Sequence, residues 1–169
     1  LFFVLLLLAL FQNAFPQGDT PQTVFQSLSS ENALNITIKT NLKKLIKFKT
    51  AEEYQEAVLS YSQNGQEVNW TVEVRARGNL RQRVCYVPPL KIKFPKEAVA
   101  AKGWKPFHNL KMVSFCKTSA SFQDLILKEY YIYKMYNELT DNSFKVQLIN
   151  IHFIDSEGKM KPLESFGFF

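Results

Sequence analysis

Glycine, cysteine and histidine are scarce in this chain of 169 residues, which holds six Gly, two Cys and two His. No glycines fall in a GxGxxG spacing, so the usual glycine-rich phosphate loop is missing. Neither Cys85 nor Cys116 belongs to a CxxC pair, and His108 and His152 stand at no ligand spacing from them, which argues against a zinc site. Long hydrophobic runs are missing too, apart from Leu1 to Phe11 at the start. Eleven helical residues rise only about 16 Å, roughly half the hydrocarbon thickness of a bilayer. No membrane span is therefore expected. Recognition-helix, zinc-finger and RNA-binding signatures are also lacking, so nucleic acid is not an expected partner.

What is present describes one packed domain. Apolar residues make up 46% of the chain and charged residues 21%, with 15 Phe and 7 Tyr, enough to fill a core and to exclude global disorder. The length suits one ordinary domain. Leu1 to Phe11, followed by Gln12, Asn13 and Ala14, has the pattern of the apolar part of a secretory signal whose basic start is missing. We expect a signal over residues 1–16, a linker over residues 17–32 with Pro21 and three Ser, and a domain over residues 33–169 that is cut at its end. Export gives the two cysteines a meaning. In an oxidising compartment they either pair, stabilising by about 3 to 4 kcal/mol, or remain two buried thiols.

Charge is unevenly placed. Between Arg75 and Lys117 there are 11 Lys or Arg against one acid, Glu97, while the rest of the chain is net acidic. Such a segment suits phosphate groups or anionic surfaces, or is simply a solvated basic face. In an exported protein the phosphates of a small molecule rank first.

Periodicity supplies the elements. Leu34, Ile36 and Ile38 alternate with polar residues as in a half-buried strand, and Asn41 caps a helical turn through Leu45. Residues 51–61 are helical in composition at first and strand-like at Val58 to Tyr61; the Asn64-Gly65 turn that follows favours a hairpin. Val68 to Ala76 is the clearest strand and ends at Gly78-Asn79. Pro88-Pro89 introduces Leu90 to Phe94, a weak helix or loop covers Ala98 to Lys102, and Leu110 to Phe115 is a fifth strand. A pair from Phe144 to Asp155 and from Leu163 to Phe169 turns at residues 156–159. Two sequons, at Asn35 and Asn69, fall inside strands and receive no role.

One long helix opens at Ser121, with Asp124 completing a capping-box variant, and runs to about Leu139. Its apolar stripe contains Phe122, Leu125, Ile126, Ile132, Tyr133, Tyr136 and Leu139, with Glu129 inside it. A carboxylate on a core-facing stripe asks for a Lys or Arg partner, unless it sits at the edge and reaches water.

The Arg75-Ala76-Arg77-Gly78-Asn79 run, then Pro89 to Phe94, then Lys128-Glu129-Tyr130, then Phe166-Gly167-Phe168, resembles the CotH kinase family, in particular its exported bacterial versions. The likeness covers roughly Ala33 to Phe169. It implies an α+β fold like the N-terminal lobe of a protein kinase, a mostly antiparallel twisted sheet of five to seven strands with one long packed helix. It also implies ATP with a divalent metal, Mg or Mn, and phosphorylation of Ser residues on secreted or coat proteins in the periplasm, cell envelope or outside the cell. In kinase-like folds a sheet Lys holds the phosphates and a helix Glu braces it. Lys91 or Lys93 matches the first role and Glu129 the second, while Arg75, Arg77 and Asn79 match a turn that serves phosphate contact or lobe architecture. The catalytic and metal-binding aspartates of such a kinase are expected beyond Phe169, and Asp155 is no substitute. The fragment is thus expected to be inactive alone. The alternative is a noncatalytic envelope or coat interaction module that keeps the fold.

Overall fold

The computed structural model describes residues 21–117 and 119–169. The signal expected over residues 1–16 lies outside the described residues. Inside the expected linker, Thr23 caps a short helix α1 (Val24–Ser27), its hydroxyl accepting from the Gln26 amide while the Gln26 side chain accepts from the Thr23 amide. Val24 and Leu28 are buried in the main core, so this part of the segment belongs to the fold.

Strand β1 (Leu34–Thr40) leads into helix α2 (Leu42–Lys47), where the Asn41 side chain accepts from the Lys44 amide. Strands β2 (Gln55–Gln63) and β3 (Gln66–Ala76) form the expected hairpin. Asn64 and Gly65 both take positive φ, 53° and 76°, as the tight turn requires. The ambiguity over residues 51–61 resolves toward strand because Ala57, Leu59 and Tyr61 all point inward and pair with β3.

Helix α3 (Leu80–Val84), which no periodicity announced, precedes β4 (Leu90–Lys93). Helix α4 (Lys96–Ala101), β5 (Asn109–Met112), the long helix α5 (Ala120–Leu139), β6 (Leu148–Asp155) and β7 (Leu163–Phe168) complete the described chain. Phe144 precedes β6 and is exposed, so the last hairpin is shorter than its apolar pattern suggested.

All seven strands form one sheet in the order β5-β4-β3-β2-β1-β6-β7. Every pairing is antiparallel except β1 with β6. The sheet curls until its two edges meet, where Val113 and Phe168 exchange backbone hydrogen bonds of 2.9 and 3.0 Å. This single bridge covers the two edges only where they meet. Gly167 makes it possible, because a Cβ there would come within 2.5 Å of both the Val113 carbonyl oxygen and Ile151 Cδ1. The interior is filled by the inward residues of alternating strands, among them Ile38, Leu59, Val74, Ile92, Met112 and Phe153.

Helix α5 packs outside this curled sheet, against β7. Tyr130 and Tyr133 lie over Phe168 with ring centroids 6.2 and 5.7 Å apart, and Ile126 is buried beside them. The apolar stripe expected to face the core is split. Ile126 turns inward, whereas Leu125, Ile132, Tyr136 and Leu139 are exposed. A helix lying along one strand of a convex surface touches it over a narrow strip, and the stripe is wider than that strip. The helix begins after Ser119 rather than Ser121, and no side chain caps its start.

Candidate phosphate-binding face

Because Val74 and Ala76, Leu90 and Ile92, and Leu110 and Met112 point inward, the residues between them point out. That alternation places Arg75, Lys91, Lys93 and Lys111 on the outer surface. Register then sorts them into two rows. In one, Arg75 stands opposite Lys91 and Lys91 opposite Lys111. In the other, Glu73 faces Lys93, which faces Asn109.

The two rows differ in charge balance. Lys93 Nζ donates to Glu73 Oε2 at 2.6 Å, and that hydrogen bond and charge raise the Lys93 ammonium above its ordinary value of 10.5. Arg75 reaches Glu52 at 3.2 Å from the loop before β2. The Tyr54 ring lies 5.4 Å from Arg75 and 5.3 Å from Lys93, so it holds both cations in place. Lys91 and Lys111 enter no ion pair among the described residues. Two like charges directly opposite on neighbouring strands have Cβ atoms about 5 Å apart and destabilise the sheet. An anion bridging them relieves that repulsion.

The other residues read from the sequence stand around this face rather than together. Arg77 follows β3, and its amide donates to the Pro89 carbonyl at 2.8 Å. Asn79 occupies the residue before α3 and its side chain accepts from Arg83. Glu129 meets a cation, as its position required, but the partner is Arg81 of α3, in a two-pronged contact with distances of 2.6 and 3.3 Å. Neither Lys91 nor Lys93 is braced by Glu129. The reason is topological: α5 covers β7, while the two lysines lie on β4.

Cys85 and Cys116 are joined in a disulfide that ties the end of α3 to the segment after β5. Beside it the Tyr86 amide donates to the Cys116 carbonyl at 2.7 Å, and Lys49 Nζ donates to the Cys85 carbonyl at 2.6 Å. This bond is compatible with an oxidising compartment. Among the described residues no helix is long and apolar enough to cross a membrane, and no group of three His, Cys, Asp or Glu could hold a metal ion.

Asp155, set aside as a catalytic acid, is a structural acceptor. Its carboxylate is buried and takes the amides of Leu42, Lys159 and Met160 at 2.9, 2.7 and 3.1 Å. Burial works to raise this carboxyl, but the amide donors outweigh it and hold it below 3.8.

Sequence reasoning missed two members of the basic surface. Lys111 had a signal, since Leu110 and Met112 flank it in alternation, but only register shows that it faces Lys91. Arg81 had none, because it lies on an unannounced helix. Comparison with family models, with curated proteins and with solved structures returns no match.

Proposed function

We propose that the outer face of β3, β4 and β5 binds phosphate groups, and that the chain is the nucleotide-phosphate-binding lobe of an exported kinase-like protein of the CotH type. The observation that carries this reading is the Arg75–Lys91–Lys111 row, in which three cations oppose one another across three strands with a single acid, Glu52, reaching one end. Arg offers a forked donor set and Lys a compact charge, a combination suited to the oxygens of neighbouring phosphates.

ATP fits this face through its phosphates. The divalent metal implied by the resemblance does not, since the described residues gather no carboxylate or imidazole set for it. On this reading, metal and base chemistry would have to be supplied by groups outside the described residues. A second reading, a noncatalytic coat or envelope module, draws support from Glu129, whose engagement with Arg81 leaves the sheet lysines without a bracing acid from the long helix.

The test is titration of the full chain with ATP and with inorganic pyrophosphate, each with and without Mg. Binding of both that weakens in Lys91→Ala, and much less in the paired change Lys43→Ala and Lys44→Ala on α2, supports a site. Equal losses indicate bulk charge. Pyrophosphate binding without any preference for ATP favours the noncatalytic module.

A further inference from the structure

A groove with a volume near 880 Å³ lies elsewhere, on the outer surface of β2, β1, β6 and β7. Its floor is made of outward side chains in two parallel rows. Ser60, Thr37, His152 and Glu164 stand opposite one another in sequence across four strands. Asn35, Asn150 and Phe166 form the neighbouring row. Gln123 from α5 borders the groove. No Lys or Arg lines it, and Glu67 and Glu164 do, so it repels the phosphates that the opposite face attracts.

The floor is rich in groups that hydrogen-bond in a fixed orientation. Asn150 Nδ2 donates to Asn35 Oδ1 at 2.7 Å, and His152 Nδ1 meets Glu164 Oε1 at 3.0 Å. These contacts orient one side of each carboxamide, imidazole and carboxylate and leave their other atoms for a ligand. Asn150 Oδ1 is buried with no partner among the described residues. A buried acceptor without a donor is rare, and because this one is closed to solvent a ligand reaches it only if the Asn150 carboxamide turns. Phe166, 38% exposed, adds a flat apolar surface at one side.

We propose that this groove binds a neutral oligosaccharide. Sugar hydroxyls donate and accept at once, which suits Asn, Ser, Thr and His side chains that do the same, and the C–H face of a pyranose suits the Phe166 ring. From β2 to β7 the floor spans about 14 Å, three strand spacings, room for a short run of sugar rings. The volume lies in the usual range for ligand sites. A peptide lying as an added strand would pair at the edges β5 or β7, whereas the groove floor is made of side chains on the sheet's face.

The test titrates the full chain with neutral hexaoses of β-linked glucose, of N-acetylglucosamine and of mannose, followed by backbone amide NMR shifts. A serine-rich cationic peptide and pyrophosphate serve as competing probes. At least one hexaose should shift β1, β6 and β7 resonances and saturate. Phe166→Ala and His152→Ala should each weaken it by about tenfold, while Lys91→Ala leaves it unchanged. Glu164→Gln, at a more exposed side chain, keeps the measurement informative if either variant folds poorly, and it should also weaken binding. The proposal is overturned if no hexaose perturbs these strands, if binding survives all three groove substitutions, or if the peptide occupies the groove in place of sugar. Pyrophosphate shifts confined to β3 to β5 would leave the phosphate reading standing whatever the hexaoses do.

Discussion

The two halves of the outer sheet surface are built by the same pleat and yet end with opposite character. On β1, β6 and β7 several outward side chains pair with one another: Asn35 with Asn150 and His152 with Glu164. On β3, β4 and β5 the row of Arg75, Lys91 and Lys111 repels itself. A self-satisfied row stabilises the sheet a little, whereas a like-charged row costs stability and persists where binding an anion offsets that cost. This contrast is what our proposals of a phosphate ligand on one half and an uncharged ligand on the other rest on.

The halves are joined along the β2–β3 ladder and at the Val113–Phe168 seam, while the disulfide braces the basic half internally; breaking the disulfide or the seam should have the largest effects. Replacing both Cys85 and Cys116 by Ala should lower stability by about 3 to 4 kcal/mol. Hydrogen exchange should rise in residues 80–117 and stay unchanged in β1 and β6. Uniform loosening of the whole sheet would mean that the halves are one cooperative unit. Gly167→Ala should cost about 1 to 3 kcal/mol, because the new methyl group meets the Val113 carbonyl at the seam. A thermal melt unchanged from the parent chain would show that the edges do not close this tightly.

The polar half carries an acid-side pH dependence, whereas the raised Lys93 of the basic half acts on the alkaline side. Asp155 is held below 3.8 in the folded chain, so its contribution is fully present above the unfolded value and is lost as pH falls through the lower folded one. Acid unfolding of Asp155→Asn should therefore be shallower than that of the parent below about pH 4. Superimposable acid curves would remove Asp155 as the acceptor that ties α2 to the turn after β6.

Lys91→Ala should act in two directions. It should weaken ATP and pyrophosphate binding while stabilising the fold by about 0.2 to 1 kcal/mol, since a repulsive row is relieved. Loss of both binding and stability would mean that the row is held by something other than repulsion awaiting an anion. The smallest effect is expected at Glu129. Its pair with Arg81 is partly exposed, so Glu129→Gln should cost under about 1 kcal/mol and leave nucleotide binding close to that of the parent. A large fall in ATP affinity would restore the bracing role that the kinase resemblance implies.

Alternation was legible from end to end. The strands around Ile36, Leu59, Val72, Ile92 and Leu110, the Asn64-Gly65 hairpin and the long helix all follow from local pattern, because period and turn chemistry act over a few residues. Cys85 and Cys116 announced a possible bond, but their sequence separation of 31 gave no means of knowing that their Cα atoms stand 4.3 Å apart. In the basic segment the charge density was legible, but which lysines stand together depended on the partner strand.

The sequence by itself determined which side chains face in and which face out, since the pleat and the helix turn are properties of the backbone. Only the tertiary structure decided what stands beside what. Register set Lys91 between Arg75 and Lys111 and gave Lys93 to Glu73. The closure of β5 on β7 placed α5 over Phe168, turned half of its apolar stripe to the outside and brought Glu129 to Arg81. Those neighbours come from residues far apart in the chain, and their meeting depends on how the whole sheet curls, which no local period encodes.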